Sequence, residues 1–534
     1  MSKIQSFFNS NSKLPYLVLF VVGALNVIAF SPFNIWFYSP VSVAILAVAL
    51  TSPISTKKAF RFGFSYGLGW FATGISWVHV AIADFGGLPL PISILLLAIL
   101  DAYLALFPAI ACWLAVRFKS QLGHWALLPA WMLAEWLRSV LLTGFPWLSL
   151  GYSQTTSPLS GLAPVIGEIG LQAVVIILGL CIARISYCLV QNKQTRGAVF
   201  PATIVVALLS AGYALQQVSW SNNTGKQVNI SLVQGNIKQS VKWQPDNEFP
   251  TMEKYLGLSQ SEFEFADVII WPEAAIPRFE IIANDFLREV DQLAASTSTA
   301  LVTGIVDYQP ETNMAFNNLI VLGKKYREDE FGHYKYLHNN RFSKHHLLPI
   351  GEYVPFESLL RNLAPIFDLP MSSFSRGTYQ QDNLIANGIN LSPAICFEIA
   401  FSDQVRTNLY QGQNRSDLIL TVSNDAWFGD SHGPWQHLQI AQMRALEYAM
   451  PVVRVTNNGV TVFINERGKI SEILPQFEAG ALRKQLQISK AFTPYQQFGN
   501  HPVLVLLLLF TFALLLNNKK RFTEKENSRM VQPD

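Results

Sequence analysis

Of the four cysteines of the chain, Cys396 is a candidate nucleophile. Cys396 is the only cysteine between 218 and 500, where it ends an apolar segment and precedes Phe397 and Glu398. Outside the cytoplasm, such a cysteine is either a reactive thiol or a site of intermolecular pairing, whereas a small buried core residue is the alternative interpretation. A strand followed by a helix would place Cys396 at a helix N-terminus, which favours the thiolate. The other three cysteines lie in or at the ends of long apolar runs: Cys112, Cys181 and Cys188.

A thiol nucleophile needs a base, and Glu273 is a stronger candidate for this role than the histidines. This glutamate follows the apolar segment 268–271, so its carboxylate is expected at the C-terminal edge of a buried strand. Burial there would raise the pKa of Glu273 toward that of a working base, whereas a surface loop glutamate is the alternative. The histidines considered as bases stand in no distinctive setting: His345, His346, His432 and His437.

Lys344 is the third candidate, because it leads into an apolar stretch with Glu352 just beyond. A cation near the thiol would lower the thiol pKa and stabilise the oxyanion of a tetrahedral intermediate. Taken alone, Lys344 reads as a solvated lysine. Together, however, a carboxylate, an ammonium and a thiol suffice for covalent acyl catalysis. The adjacent His345 and His346 suit no common metal site, so neither a metal nor another cofactor is predicted.

These residues lie in a region whose pattern predicts a globular domain of alternating strands and helices. Polar breaks separate short segments rich in Val and Ile between 218 and 500. Strands are predicted at 228–233, 268–271, 300–305, 319–322, 391–396, 418–422, 452–456 and 460–464. Helices are predicted near 249–264, 284–296, 402–411 and 434–449.

The rest of the chain predicts a multi-pass membrane protein. The 534 residues are 50% hydrophobic and only 14% charged, a composition that soluble domains of this length seldom have. The net charge of +3 is small and forms no basic stripe interleaved with aromatics, so nucleic-acid binding has no support. Eight runs are long enough to span a bilayer: 14–30, 35–51, 62–82, 91–116, 125–143, 161–183, 198–217 and 502–517.

Lysine and arginine in the short loops predict the orientation, because cytoplasmic loops carry an excess of them. Basic residues occupy every second loop, and the alternate loops near 31–34, 83–90 and 144–160 carry none. Both termini are therefore expected in the cytoplasm, with the domain at 218–500 on the opposite face. The predicted organisation is seven helices in 1–217, the domain at 218–500, an eighth helix at 501–517 and a cytoplasmic tail at 518–534.

The order of the three candidates resembles the Glu-Lys-Cys triad of the nitrilase superfamily. The matching positions are Trp271-Pro272-Glu273, Lys344 and Ile395-Cys396-Phe397-Glu398. This resemblance implies an α-β-β-α sandwich for the middle of the chain. Fusion to membrane spans is more restrictive, and the whole chain resembles the bacterial apolipoprotein N-acyltransferase family.

Further motifs carry that second resemblance along most of the chain. They are Phe30-Ser31-Pro32-Phe33, Phe85-Gly86-Gly87-Leu88-Pro89, Thr143-Gly144-Phe145-Pro146-Trp147, His346-Leu347-Leu348-Pro349-Ile350-Gly351-Glu352-Tyr353-Val354-Pro355, Ser423-Asn424-Asp425-Ala426-Trp427-Phe428-Gly429 and Thr456-Asn457-Asn458-Gly459. Two positions depart mildly from the family pattern, with Phe397 where tyrosine is frequent and Ile350 where phenylalanine is more usual. Neither departure touches the triad.

The resemblance implies a transfer reaction in the bacterial inner membrane, with the catalytic domain in the periplasm. Cys396 would accept an acyl chain from a phospholipid, with phosphatidylethanolamine as the expected donor. The thioester would then acylate the α-amino group of an S-diacylglyceryl cysteine on an apolipoprotein. Glu273 would act as the base and Lys344 would stabilise the oxyanion.

Other residues receive supporting roles from the same resemblance. Glu352 is expected to hold Lys344 charged and oriented, and Glu398 to do similar work beside the nucleophile, with a satisfied ion pair as the alternative for each. Four further side chains are candidates for substrate contact, with packing as the alternative: Trp243, Asn317, Phe397 and Trp427.

Two alternative functions stay open at this stage. A membrane-tethered amidase or nitrilase would pass the acyl group to water, and a transporter or non-catalytic scaffold would also explain eight spans. Ionisable residues inside a membrane are costly and mark functional candidates. For Glu135 and Arg138, three residues apart, structural pairing on one helix face is favoured, and the roles of two others stay open: Asp101 and Glu168.

Overall fold

The computed structural model describes residues 3–85, 89–191, 195–349, 351–353, 374–410 and 415–530. The motif positions 86–88, 350 and 354–355 lie outside these ranges. The chain folds as two compact units. One contains 1–79, 89–218 and 497–534, and the other contains 80–88 and 219–496.

The first unit is helical, and a helix coincides with each of the eight apolar runs. By length and composition, three described helices are able to cross a membrane: Leu90–Arg117, Pro158–Val190 and Arg196–Gln216. Leu14–Ala29, Tyr38–Thr51 and His501–Leu516 are apolar but shorter, so the count of eight spans stays a prediction. The principal helices are Leu14–Ala24, Tyr38–Thr51, Thr56–Gly74, Leu90–Arg117, Leu127–Val140, Ala163–Ser186, Arg196–Gln216 and His501–Met530.

Three ionisable residues of this unit, Glu135, Arg138 and Glu168, are buried and hydrogen-bonded within it, whereas Asp101 is buried with one carboxylate oxygen that has no hydrogen-bond partner among the described residues. Glu135 and Arg138 form an ion pair on one helix face, as their spacing predicts. Arg138 also donates to the backbone oxygen of Trp147. Glu168 accepts a hydrogen bond from Ser149. Glu135, Arg138 and Glu168 therefore each have a partner within the helical unit.

Thirteen described strands form the second unit. In chain order, β1 to β13 are Ser221–Gln234, Val268–Ile270, Ile276–Phe279, Ala300–Gln309, Met314–Gly323, Arg341–Ser343, Leu384–Ala386, Ile389–Ile395, Leu418–Ser423, Val452–Thr456, Thr461–Ile464, Ile470–Leu474 and Gly480–Ala491. One sheet has the order β13-β1-β2-β4-β5-β6, with β3 paired to β4, and the other has the order β12-β11-β10-β9-β8-β7.

The two sheets pack face to face, because the strands of both are rich in Val, Ile and Leu. Side chains such as Ile230 and Val302 of one sheet share a buried core with Leu420 and Val453 of the other. Helices Pro245–Ser259 and Asn284–Ser296 cover the outer face of the first sheet through a second core that includes Tyr255. Two further helices of the unit are Ser402–Leu409 and Gly433–Tyr448. This layered arrangement confirms the sandwich that the resemblance implied.

Within each sheet, parallel strands bring the residues that follow them to one edge. In the first sheet β1, β2 and β4 are parallel, and in the second β8, β9 and β10 are parallel. Glu273 follows β2, Cys396 follows β8 and Asn424 follows β9. The carboxyl ends of parallel strands are a common place for binding and catalytic side chains in sheet proteins.

Candidate active site

Glu273 lies in a buried turn just after β2, and both of its carboxylate oxygens are hydrogen-bonded. Oε1 accepts from Asn317 Nδ2 at 2.8 Å and from Lys344 Nζ at 3.2 Å. Oε2 accepts from the backbone N–H of Asn424 at 2.9 Å. Because Asn424 directly follows β9 of the second sheet, this hydrogen bond ties the carboxylate to the strand beside the one that precedes Cys396.

Lys344 follows β6 and its side chain is 1% exposed, between two carboxylates. Its Nζ atom lies 2.8 Å from Glu352 Oε1 and 3.2 Å from Glu273 Oε1. Glu352 in turn accepts the backbone N–H of Leu348 at 2.9 Å through Oε2. The backbone N–H of Lys344 donates to the carbonyl of Asn317 at 2.9 Å. The cation is therefore fixed at both its backbone and its ammonium group.

Cys396 follows β8 and adopts a left-handed backbone conformation with φ of 53°. Non-glycine residues adopt this region rarely, and a nucleophile on a sharp turn after a strand is one of its known uses. Its thiol is partly buried and lies 3.3 Å from the hydroxyl of Ser423. The turn Cys396–Ala400 is a short 3-10 segment. The helix predicted near 402–411 begins at Ser402, so the element whose N-terminus lies at Cys396 is a short 3-10 helix.

The electrostatics of the three residues are coupled. Burial, followed by the charge of Glu273, raises the pKa of the Cys396 thiol and outweighs the opposite effect of Lys344. Burial opposes the charge of Lys344, but Glu273 and Glu352 together raise its pKa well above the ordinary value. The resting site thus holds a neutral thiol and a charged lysine.

Glu273 shows the opposite of the shift expected from its burial. Burial favours a higher pKa for Glu273, but the ammonium of Lys344, the amide of Asn317 and the backbone N–H of Asn424 outweigh it and lower the pKa. The prediction of a raised pKa is therefore wrong, because it considered burial without the hydrogen-bonding partners. A carboxylate that stays ionised is still able to accept a proton from a neighbouring thiol.

Glu398 is buried, and among the described residues its carboxylate accepts hydrogen bonds from backbone N–H groups and from Gln404 Nε2 at 3.1 Å, with no ion pair to Lys344. Its carboxylate accepts from the backbone N–H groups of Ile395 at 2.9 Å and His345 at 2.7 Å. These residues flank Cys396 and Lys344 in the chain. Burial raises the pKa of Glu398. The carboxylate therefore joins the segment that carries the lysine to the segment that carries the cysteine.

The four side chains predicted for substrate contact have different surroundings. Asn317 is part of the site, since its amide contacts Glu273 directly. Phe397 is buried and packs edge-on against Phe401. Trp427 is 37% exposed and Trp243 is half-buried beside Lys242.

Several residues near the site were missed by sequence reasoning. Lys242 is 1% exposed and donates to the backbone oxygen of Glu273 at 3.3 Å. Burial lowers the pKa of Lys242 to about 8, against the effect of Glu273. The signal for it was its place in the segment 234–243, next to Trp243. The sequence singled out Ser423, Asn424 and Asp425 only as members of the motif at 423–429 and predicted no individual role for them.

The two-sheet fold and this set of buried side chains define a class of protein. The carbon-nitrogen hydrolase family model matches residues 229–491, which covers the sandwich and all of the residues above. The second unit is therefore a nitrilase-like domain. A second family model, the apolipoprotein N-acyltransferase N-terminal domain, matches residues 22–181.

Curated relatives extend the likeness to nearly the whole chain. An apolipoprotein N-acyltransferase of Shewanella oneidensis is 44% identical over 525 residues, which are 96% of this chain and 98% of that protein. The corresponding protein of Vibrio vulnificus is 42% identical over 514 residues, with 95% and 98% covered. That of Haemophilus influenzae is 39% identical over 518 residues, with 97% of each covered. This chain belongs to the apolipoprotein N-acyltransferase family, as its motifs predicted.

Proposed function

We propose that this chain moves a fatty acyl chain from a membrane phospholipid to the N-terminal α-amino group of a diacylated lipoprotein, through a thioester on Cys396. Phosphatidylethanolamine is the proposed donor. The observation that carries the proposal is the buried, charged Lys344 between Glu273 and Glu352. The charges of all three residues act on the Cys396 thiol. This arrangement supports proton removal and oxyanion stabilisation at one place.

In the first half-reaction, Glu273 takes the proton of the Cys396 thiol as sulfur attacks an ester carbonyl of the phospholipid. Lys344 stabilises the negative charge on the carbonyl oxygen of the tetrahedral intermediate. The intermediate then expels the lysophospholipid alkoxide, which takes up the proton held by Glu273. A thioester remains on Cys396, and Glu273 returns to its ionised form.

In the second half-reaction, the α-amino group of the lipoprotein attacks the thioester carbonyl. Glu273 takes a proton from this amine, and the thiolate of Cys396 leaves and recovers that proton. An amide forms and the free enzyme is restored, which makes a ping-pong cycle. Thiolate is a better leaving group than alkoxide, so the thioester acylates an amine without any input of ATP.

The proposed setting is the bacterial inner membrane, with both termini in the cytoplasm and the catalytic domain in the periplasm. The bias of Lys and Arg toward alternate loops supports this orientation. Three described helices that suffice to cross a membrane support membrane attachment. Both substrates carry acyl chains, so they would approach the domain from the lipid surface.

The competing function is hydrolysis, in which water takes the acyl group from Cys396. The experiment that separates the two uses purified protein and phospholipid carrying a radiolabelled acyl chain. For transfer, we expect a hydroxylamine-labile label on the protein that persists until a diacylated lipopeptide is added and then moves to the peptide amine. Rapid release of free fatty acid before any peptide is added would instead establish hydrolysis.

The matched control for this experiment compares two cysteines of the same chain. Cys396→Ala should abolish the label, because no thiol remains to form the thioester. Cys188→Ala, which removes a buried cysteine of the helical unit, should retain it. A full label on Cys396→Ala would disprove the proposed intermediate.

A further inference from the structure

A buried histidine contacts the backbone of Cys396. His437 lies on helix Gly433–Tyr448 and is fully buried. Its Nε2 atom lies 3.0 Å from the carbonyl oxygen of Cys396. Because a carbonyl only accepts, Nε2 must carry the hydrogen. A left-handed cysteine persists only when its surroundings hold it, and this contact comes from outside its own turn.

The protonation state of His437 follows from its other neighbours. Burial and the charge of Arg454 lower the pKa of His437 and outweigh the opposite effect of Asp425, whose Oδ1 lies 3.4 Å from Nδ1. Because the guanidinium of Arg454 only donates, its contact with Nδ1 makes that nitrogen an acceptor and the ring neutral. Arg454 donates to Nδ1 at 3.1 Å and to Asp425 Oδ2 at 2.7 Å. The histidine is therefore oriented with its N–H directed at the nucleophile's carbonyl, and it does not serve as the base.

Asp425 connects this cluster to the thiol itself. Ser423 lies 2.6 Å from Asp425 Oδ1 and 3.3 Å from Cys396 Sγ. One hydroxyl hydrogen serves one acceptor at a time, and the carboxylate is the stronger acceptor in the resting state. When sulfur becomes a thiolate, rotation of the hydroxyl brings the hydrogen to Sγ. Arg454 continues to neutralise Asp425 after that rotation.

The chain leaves little room around this carboxylate. A Cβ atom at Gly459 would lie 2.2 Å from Asp425 Oδ2, so a side chain there would displace Asp425. Ser423, Asp425, His437 and Arg454 are all buried. The two motifs that contain Asp425 and Gly459 therefore meet in the buried cluster beside Cys396.

We propose that Ser423, Asp425, His437 and Arg454 form a positioning network for Cys396. His437 holds the backbone of the cysteine, and Ser423 supplies a hydrogen bond to its sulfur when the thiolate forms. Asp425 and Arg454 orient these two groups. The proposal deepens the proposed acyl transfer and rests on Cys396 being the nucleophile, with Glu273 as its base.

The first test measures alkylation of Cys396 by iodoacetamide in the full-length protein, followed at the Cys396 peptide by mass spectrometry at several pH values. Ser423→Ala should lower the rate about ten-fold at each pH below the thiol pKa, since the thiolate loses a hydrogen bond. Ser423→Thr should restore it. The other charges that act on this thiol, on Glu273, Lys344 and Glu352, are the same in all of these variants.

Ser392→Ala is the matched control, because Ser392 is a buried serine of the neighbouring β8 whose hydroxyl has no hydrogen-bond partner among the described residues. Its alkylation rates should coincide with those of the unchanged protein. If folded Ser423→Ala is alkylated at the same rates as the unchanged protein, Ser423 does not stabilise the thiolate and its proposed role is wrong.

The second test compares two substitutions of His437 by the rate of acyl-enzyme formation, with thermal unfolding measured alongside. Glutamine retains an N–H able to reach the Cys396 carbonyl, so His437→Gln should keep the rate within about three-fold, whereas His437→Ala should lose more than about ten-fold. Equal rates for the two folded variants would overturn the role of His437. If His437→Ala does not fold, a loss of more than ten-fold in folded His437→Gln would overturn it instead.

These tests separate the network from the proposed reaction. Alkylation depends on the thiolate of Cys396 and needs neither a phospholipid nor a lipoprotein. A protein that hydrolyses its thioester would still show the Ser423 effect if the network exists. Conversely, acyl transfer with unchanged alkylation in Ser423→Ala would leave the reaction standing and remove the network.

Discussion

The Nζ atom of Lys344 lies 2.8 Å from Glu352 Oε1, closer than the 3.2 Å that separates it from Glu273 Oε1. The side chain of Lys344 is 1% exposed and that of Glu352 is 13% exposed. A buried cation next to a single carboxylate would bind it tightly and compete with its use as a base. Because Glu352 neutralises part of the Lys344 charge, the lysine binds the Glu273 carboxylate less tightly, and Glu273 is more available as a base.

We expect Glu352→Gln to lower the rate of acyl-enzyme formation by about 10- to 100-fold, because a hydrogen bond to a charged group contributes about 1.5 to 3 kcal/mol. The measurement is single-turnover labelling from radiolabelled phospholipid. Glu248→Gln is the control, since Glu248 pairs with Arg278 at a partly exposed site where ion pairs contribute little. Equal rates for the two variants would contradict the role of Glu352.

Replacing Glu273 tests the base. Glu273→Gln keeps the size of the side chain and its contact with Asn317, but removes the proton acceptor. Acyl-enzyme formation should fall by about 100- to 10,000-fold, the usual range for general base catalysis. The same labelling assay measures it, and melting temperature reports on folding. Activity within two-fold of the unchanged protein would exclude Glu273 as the base.

The pH dependence follows from the pKa of Glu273, which its partners lower despite burial. A carboxylate stays ionised at any pH above its pKa and loses its charge only as the pH falls through that pKa. Acyl-enzyme formation should therefore retain Glu273 as its base down to below about pH 4.3, the ordinary pKa of glutamate. An inflection near pH 6 to 7, typical of a histidine base, would contradict this.

Lys344→Met provides the matching variant for the pH profile. The substitution removes the cation that lowers the pKa of Glu273, so burial then dominates and raises it. The residual activity of the variant should therefore be lost at a higher pH than in the unchanged protein. An acid limb that stays in place would show that Lys344 does not set the ionisation of Glu273.

Gly304 on β4 supports the turn that carries Glu273. A Cβ atom there would lie 2.3 Å from Ala274 N and 2.8 Å from Glu273 Cα. Both are backbone atoms, so the turn must shift. We expect Gly304→Ala to lower acyl-enzyme formation at least about ten-fold, because small displacements at a reacting centre are costly. Gly257→Ala is the control, with no atom within 4 Å of its Cβ, and it should be neutral or slightly stabilising.

Apolar patterning predicted the strands of the sandwich well where both faces are buried. The predicted 452–456 matches β10, and 418–422 matches β9 to within one residue. The edge strands β12 and β13 were missed, since β12 is largely exposed and β13 alternates polar with apolar residues. The short strands β6 and β7 were missed as well, because three residues give no period to detect.

The sequence by itself determined the membrane-associated class, the family, and the order of Glu273, Lys344 and Cys396, because hydropathy, loop charge and local motifs are properties of neighbouring residues. Only the tertiary structure decided which groups surround each of them. The pKa of Glu273 falls despite burial because Lys344, Asn317 and Asn424 reach its carboxylate from two sheets, contacts that no local pattern reveals. His437, which had no distinctive setting in the sequence, acquires its position from a helix that packs behind the nucleophile.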